Sequence, residues 1–509
     1  MFAPFASRLS LGCLALSLFS LTTDYVHADW RSAIGWAEFT SELGPDYPDG
    51  TGVLVAQGEA DANGTNPGAA CLPDNTNSLV TGKLILPKTP DASNSNHALN
   101  VARRFYGNTT SVAPGVTDIF AYEANDYLGA LTSNSIPANR KVHCNAWVAN
   151  FGTLGAFKLA EIDSRIQSNG YLLVAGLSNG SNTSVPQIFT STYNALSVGR
   201  SNGNHSRNGT NVGRGNYLAG RIKPEVVIPE TTTSWSTGAV SSIAAVLYQV
   251  AQEAHPQAYD HSEVIKAIIM AGATKQEFDG WDRTTTRPLD EVFGAGEAHI
   301  LNSYLILSAG EQTPGTVAPT GWSFSDLAGS DGPDSFLERT YDFSVPEGSV
   351  AEDFSVILNW NYSGSGTPRD LKLELISLTA GNKLVDTSNS SIDNVEHIYR
   401  RHLPAGNYQL KVSRADESDD PISFALAWQS QFGDGPQTLM SKASNGNPKL
   451  TVTEVFKDQP YVIERSIGLG AWTPVHSFTP KTWGDYVWED TDGHMPEVEV
   501  FYRCSWPSL

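Results

Sequence analysis

The 509-residue chain carries 54 acidic against 33 basic side chains, a formal net charge of −21 at pH 7, and has no Lys/Arg-rich run; both argue against a partner such as nucleic acid or an anionic lipid surface. Its 40% hydrophobic and 10% aromatic content can fill real cores, and because single cores stop growing at roughly 250 to 300 residues, two or three domains are expected. With 45 Gly, 28 Pro and only 17% charged residues, the composition points to many turns and short strands and away from long helices or disorder.

Residues 1–28 read as a signal peptide: Arg8 precedes an apolar stretch from Leu9 to Leu21, and Val26-His27-Ala28 makes a small-residue cleavage site. The stretch is shorter than the roughly 20 residues of a spanning helix, so export to the periplasm or the extracellular space is predicted, with no membrane span later in the chain. Cys13 falls in the signal, leaving Cys71, Cys144 and Cys504. Three cysteines cannot all pair. Cys71 and Cys144 either bridge in an oxidising compartment or act as small buried hydrophobes, and the spacing matches no zinc site.

From about residue 50 to 310, apolar strand-like runs alternate with helical ones, the rhythm of an α/β domain with a parallel sheet. Gly52-Val53-Leu54-Val55-Ala56 and Leu172-Leu173-Val174-Ala175-Gly176 are continuous apolar runs, as strands buried on both faces require, and helical spacing follows at 238–252 and 262–269. The domain is placed at 29–311 and a Pro/Gly/Thr-rich linker at 312–320. Beyond it, period-two runs at 356–360, at Leu371, Leu373 and Leu375, at Tyr408, Leu410 and Val412, and at 424–428 predict a β-sandwich over 321–431. A Gly/Asn-rich break, 432–448, precedes a last small β domain, 449–509, with aromatics at Trp472, Phe478, Trp488 and Tyr502.

Three segments of the α/β part carry candidate chemistry. Gly50 to Glu59 is a glycine turn, a buried strand and a carboxylate at its end. Asn96-His97-Ala98-Leu99-Asn100-Val101-Ala102 precedes Val112-Ala113-Pro114. Lys223-Pro224-Glu225 and Ile228-Pro229 lead to Thr232-Thr233-Ser234-Trp235-Ser236-Thr237-Gly238 and a helix. Carboxylate, histidine and serine thus fall at strand ends or helix starts, where open α/β sheets place their sites.

In these segments the chain resembles the subtilisin-like serine proteases. Their nucleophile segment lines up with 223–238 and implies Ser234 as nucleophile; their histidine segment lines up with 97–102 and 112–114 and implies His97 as base. The strand followed by Leu177-Ser178-Asn179 implies Asn179 as oxyanion donor, and Phe293-Gly294-Ala295-Gly296-Glu297-Ala298 matches the closing pattern of the domain. Where the family has aspartate this chain has Glu59, with Asp61 two residues on as a rival; Glu59 is preferred because that alignment needs no gap. Taken singly, each residue has a plainer role: His97 a surface histidine, Ser234 a helix N-cap, Asn179 a turn residue, Glu59 a strand-end acid.

The histidine segment departs from the family at Ala98 and Asn100, and Arg103-Arg104 stand where small residues are usual; Thr232 replaces glycine, Ser236 alanine and Gly238 proline. Only a short stretch separates the signal from the first strand, against a longer inhibitory pro-segment in most members. The resemblance implies a secreted endopeptidase acting on protein or peptide substrates, with no cofactor required and structural calcium left open. The alternative is a catalytically inactive, protease-like binding or adhesion protein. The strand set around the Leu403-Pro404-Ala405-Gly406-Asn407-Tyr408 turn looks like the pre-peptidase C-terminal β-sandwich, and an exposed Trp or Tyr of the β domains is a candidate contact for polysaccharide or a cell surface.

Overall fold

The computed structural model describes residues 29–328 and 337–506 apart from 419, 434, 458, 469, 483 and 492–498, so the signal peptide expected over 1–28 lies outside the described residues. Seven parallel strands form the central sheet: β1 (Leu54–Glu59), β2 (Leu84–Pro87), β3 (Asp118–Glu123), β4 (Arg140–Asn145), β5 (Leu172–Gly176), β6 (Leu196–Arg200) and β7 (Val226–Ile228). Their order is β2-β3-β1-β4-β5-β6-β7. The helices that matter most are α1 (Asn96–Phe105), α2 (Gly155–Asn169), α3 (Thr233–Ala254) and α4 (Ser262–Ala271).

The continuous apolar runs follow from burial on both faces. Leu172 and Val174 of β5 join the core cluster that contains α3, while Leu173 and Ala175 join the cluster that contains Leu159, Ile162 and Ile166 of α2. Cys71 and Cys144 do not bridge. Both are buried free thiols, and they sit in different clusters, so of the two readings the structure takes the small buried hydrophobe.

A sandwich of antiparallel sheets follows, with one parallel pair at its edge. Its strands are β8 (Gly315–Thr316), β9 (Gly321–Leu327), β10 (Glu338–Val345), β11 (Val350–Asn359), β12 (Leu371–Ser377), β13 (Lys383–Ser388), β14 (Val395–Leu403), β15 (Gly406–Arg414) and β16 (Ile422–Gly433), in the orders β8-β10-β15-β12-β13 and β9-β16-β11-β14. Leu371, Leu373 and Leu375 alternate into its interior, as do Tyr408, Leu410 and Val412. On β11 and β16 the alternation vanishes for a physical reason. Val356, Leu358 and Leu426 face the sandwich interior while Ile357, Ala425 and Ala427 pack into the α/β core, so this sheet is covered on both sides.

The stretch 312–320, read as a linker, is pinned to the sandwich: β8 pairs with β10, and the Gln312 N–H donates to the Trp322 carbonyl at 2.7 Å. The break at 432–448 contains a strand, β17 (Thr438–Lys442), which pairs with β18 (Pro448–Val455). As an edge strand it leaves most of its side chains in solvent, and its composition therefore reads as loop. The strands that follow are β19 (Tyr461–Ile467), β20 (Thr473–Phe478), β21 (Gly484–Glu489) and β22 (Val500–Ser505), forming sheets β17-β18-β21 and β20-β19-β22. Among the described residues no helix is long and apolar enough to cross a membrane.

Candidate active site

Glu59 is the last residue of β1, and His97 and Ser234 each occupy the second position of a helix whose cap is another residue. Ser95 caps α1, its hydroxyl accepting from the Ala98 N–H at 3.4 Å; Thr232 caps α3 by accepting from the Trp235 N–H at 3.2 Å. Ser234 is therefore not the N-cap, and its own N–H belongs to the first turn, whose donors have no partner within the helix. Both helix starts present the positive end of the backbone dipole.

His97 Nδ1 lies 2.7 Å from Glu59 Oε2. The carboxylate is almost wholly buried at 1% exposure while the imidazole side chain is 44% exposed, so the ring is anchored on one edge and open on the other. The hydrogen bond to Glu59 raises the His97 pKa above its ordinary 6.5 against the opposing effect of burial. Asp61 is occupied elsewhere: its Oδ1 accepts from the Asn63 and Ala70 N–H groups at 2.9 Å each, which organises the loop after β1. Of the two carboxylates, Glu59 is the one hydrogen-bonded to His97.

On the other side of the site, Asn179 is exposed in the loop after β5. Its Oδ1 accepts from the Thr233 N–H at 3.0 Å and the Thr233 hydroxyl at 3.3 Å, which ties the amide to the residue before Ser234 and leaves its donor end, Nδ2, out of these two bonds. Gly176 permits this approach, because a Cβ there would stand 2.5 Å from Thr237 Oγ1 and 3.1 Å from the Thr233 carbonyl oxygen. The helices that carry His97 and Ser234, α1 and α3, pack against each other. A Cβ on Gly238 would lie 2.7 Å from the Val101 carbonyl oxygen, and His97 and Ser234 each precede these contact residues by four positions, about one helical turn. Gly238 in place of proline thus fits a close helix crossing.

Several supporting residues escape a reading of the sequence. Arg104, conspicuous only as a bulky substitution, donates Nε to Glu230 Oε1 at 2.9 Å and stacks 3.9 Å from the Trp235 ring, strapping α1 to the start of α3. A cavity of about 300 Å³ opens there, lined by Asp29, Arg103, Arg104, Glu230, Thr231 and Trp235 among others. Gln57 and Tyr106 lie behind Glu59, and the only sequence signal for the first is a polar side chain inside an otherwise apolar strand. Among the described residues no group of three or more His, Cys, Asp or Glu side chains gathers as if to hold a metal.

No family model and no curated protein matches the sequence. Among solved structures, the chain is similar to the protease domain of PatA, at 15% identity over 52% of this chain and 98% of that one, with a TM-score of 0.37. It is also similar to fervidolysin from Fervidobacterium pennivorans, described as a keratinolytic enzyme related to subtilisin, at 13% identity over 89% of this chain and 68% of that one, TM-score 0.38. A third is the psychrophilic subtilisin-like protease Apa1 from the Antarctic Pseudoalteromonas sp. AS-11, at 11% identity over 55% and 97%, TM-score 0.36.

Proposed function

We propose that this chain is an exported serine endopeptidase that cleaves protein or peptide substrates through Ser234, His97 and Glu59, with Asn179 in the oxyanion hole. The observation that carries the reading is the 2.7 Å contact between His97 Nδ1 and the buried Glu59 carboxylate, which holds the imidazole in the tautomer that leaves Nε2 unprotonated. In this reading Nε2 takes the Ser234 hydroxyl proton as Oγ attacks the scissile carbonyl. Glu59 offsets the imidazolium charge, and the proton passes on to the leaving amine. The developing oxyanion receives hydrogen bonds from Asn179 Nδ2 and the Ser234 N–H, each such donor being worth about 3 to 4 kcal/mol in the transition state. Water then enters with His97 as base and releases the acyl group from Ser234.

The second reading, an inactive binding module, rests on the bulky Arg103 and Arg104 standing on α1 where small residues are usual in the family it resembles. Hydrolysis of a casein-type substrate by the exported chain separates the two. Turnover that disappears in both Ser234→Ala and His97→Ala is expected; a well-folded parent without turnover favours the binding module, and turnover persisting in Ser234→Ala contradicts the assigned nucleophile.

A further inference from the structure

Gln57 lies two residues before Glu59 on β1, so both side chains project from the same face of the strand, and at 1% exposure both are cut off from water. The Gln57 amide is fully engaged. Its Nε2 donates to Glu59 Oε1 at 2.7 Å and to the Ala98 carbonyl at 3.0 Å, while its Oε1 accepts from the Tyr106 hydroxyl at 2.6 Å. The amide has one possible orientation, because a flip would set its oxygen against a carboxylate and a carbonyl that only accept. Tyr106, at the C-terminal end of α1, is wholly buried, and burial pushes its pKa well above 10, so it stays a donor.

We propose that Gln57 is a positioning residue, oriented by Tyr106, that locks the Glu59 carboxylate and the backbone next to His97 into one unit. This rests on the functional reading given above. The two oxygens of Glu59 are then divided between two tasks, Oε1 held by Gln57 and Oε2 holding His97 Nδ1. A glutamate has one more rotatable bond than an aspartate, and a second, rigid donor removes that freedom. The contact to the Ala98 carbonyl matters equally, since it ties the strand bearing Glu59 to the first turn of the helix bearing His97. The network Tyr106, Gln57, Glu59, His97 spans the strand and both ends of α1.

The test is the titration of His97 by NMR in [15N]histidine-labelled full-length mature chain carrying Ser234→Ala, with the His97 signal assigned by its loss in His97→Ala. Gln57→Leu is expected to lower the His97 pKa by about half a unit or more and to remove its Nδ1 proton resonance. Placed in the active chain, the same change is expected to lower kcat about tenfold to a hundredfold with KM little altered. Tyr106→Phe removes only the donor to Gln57 and should move the pKa in the same direction by less, and it serves alone if Gln57→Leu does not fold. A His97 titration left unchanged by a folded variant overturns the proposal, whatever happens to activity. A shifted titration in a parent that hydrolyses nothing supports the positioning role while removing the peptidase reading.

Discussion

Glu59 carries one methylene more than the aspartate of the family it resembles, yet its carboxylate reaches His97 Nδ1 at 2.7 Å from a buried strand end. Shortening it leaves the imidazole out of reach. Glu59→Asp is therefore expected to lose much of the kcat, Glu59→Gln more, by up to about four orders of magnitude as the wrong tautomer is favoured, and Asp61→Asn little, all read from steady-state kinetics. Asn179→Ala should lower kcat about a hundredfold or more with little effect on KM, because its hydrogen bond strengthens only in the transition state. The pH profile follows from the sign of the His97 shift. A base works when neutral, so kcat/KM rises with pH through the His97 pKa, which the Glu59 hydrogen bond holds above 6.5; Glu59→Gln should move whatever activity remains to lower pH. Glu59, His97, Ser234 and Asn179 could be picked out as candidates because each sits at a fixed offset within a recognisable segment. Gln57 and Arg104 could not, since their partners Tyr106 and Glu230 stand 49 and 126 residues away and only folding brings them together.

At the scale of elements, the site depends on how closely α3 can approach its neighbours. Gly238 against the Val101 carbonyl and Gly176 against Thr237 mark two close approaches, and in the first the obstructing atom belongs to backbone and cannot simply rotate away. Gly238→Ala is expected to cost about 1 to 3 kcal/mol in urea unfolding and to lower activity by moving His97 relative to Ser234. Thr232→Ala, which removes the cap of α3, should cost about 1 kcal/mol. β1 and β5 were visible in the sequence as continuous apolar runs, as strands buried on both faces require. β17 was hidden because an exposed edge strand has no core face to write a period into the sequence.

For the molecule as a whole, the sandwich is part of the α/β domain's packing. Trp322, Ile357, Val395, Ala425 and Ala427 belong to the same core cluster as α3 and α4, and the Asn361 amide donates to Glu263 Oε2 at 2.7 Å across the junction. A chain ending at residue 311 should therefore expose a broad apolar face and aggregate or bind a hydrophobic dye, which gel filtration and dye fluorescence would detect. Lys275 is buried at the same junction, donating to Ser355 Oγ at 3.2 Å, and burial pulls its pKa from 10.5 to about 7. Between pH 7 and 10.5 the unfolded chain binds this proton and the folded chain does not, so Lys275 contributes a rise in stability with pH over that window; Lys275→Met should flatten it in thermal melts. Activation of Ser234 as a nucleophile is read by labelling the folded mature chain with a fluorophosphonate, followed by mass mapping of the adduct. A single adduct on Ser234, absent in His97→Ala and strongly reduced in Glu59→Gln, is the predicted result; a folded chain that takes no label at Ser234, or labels equally without His97, would contradict it.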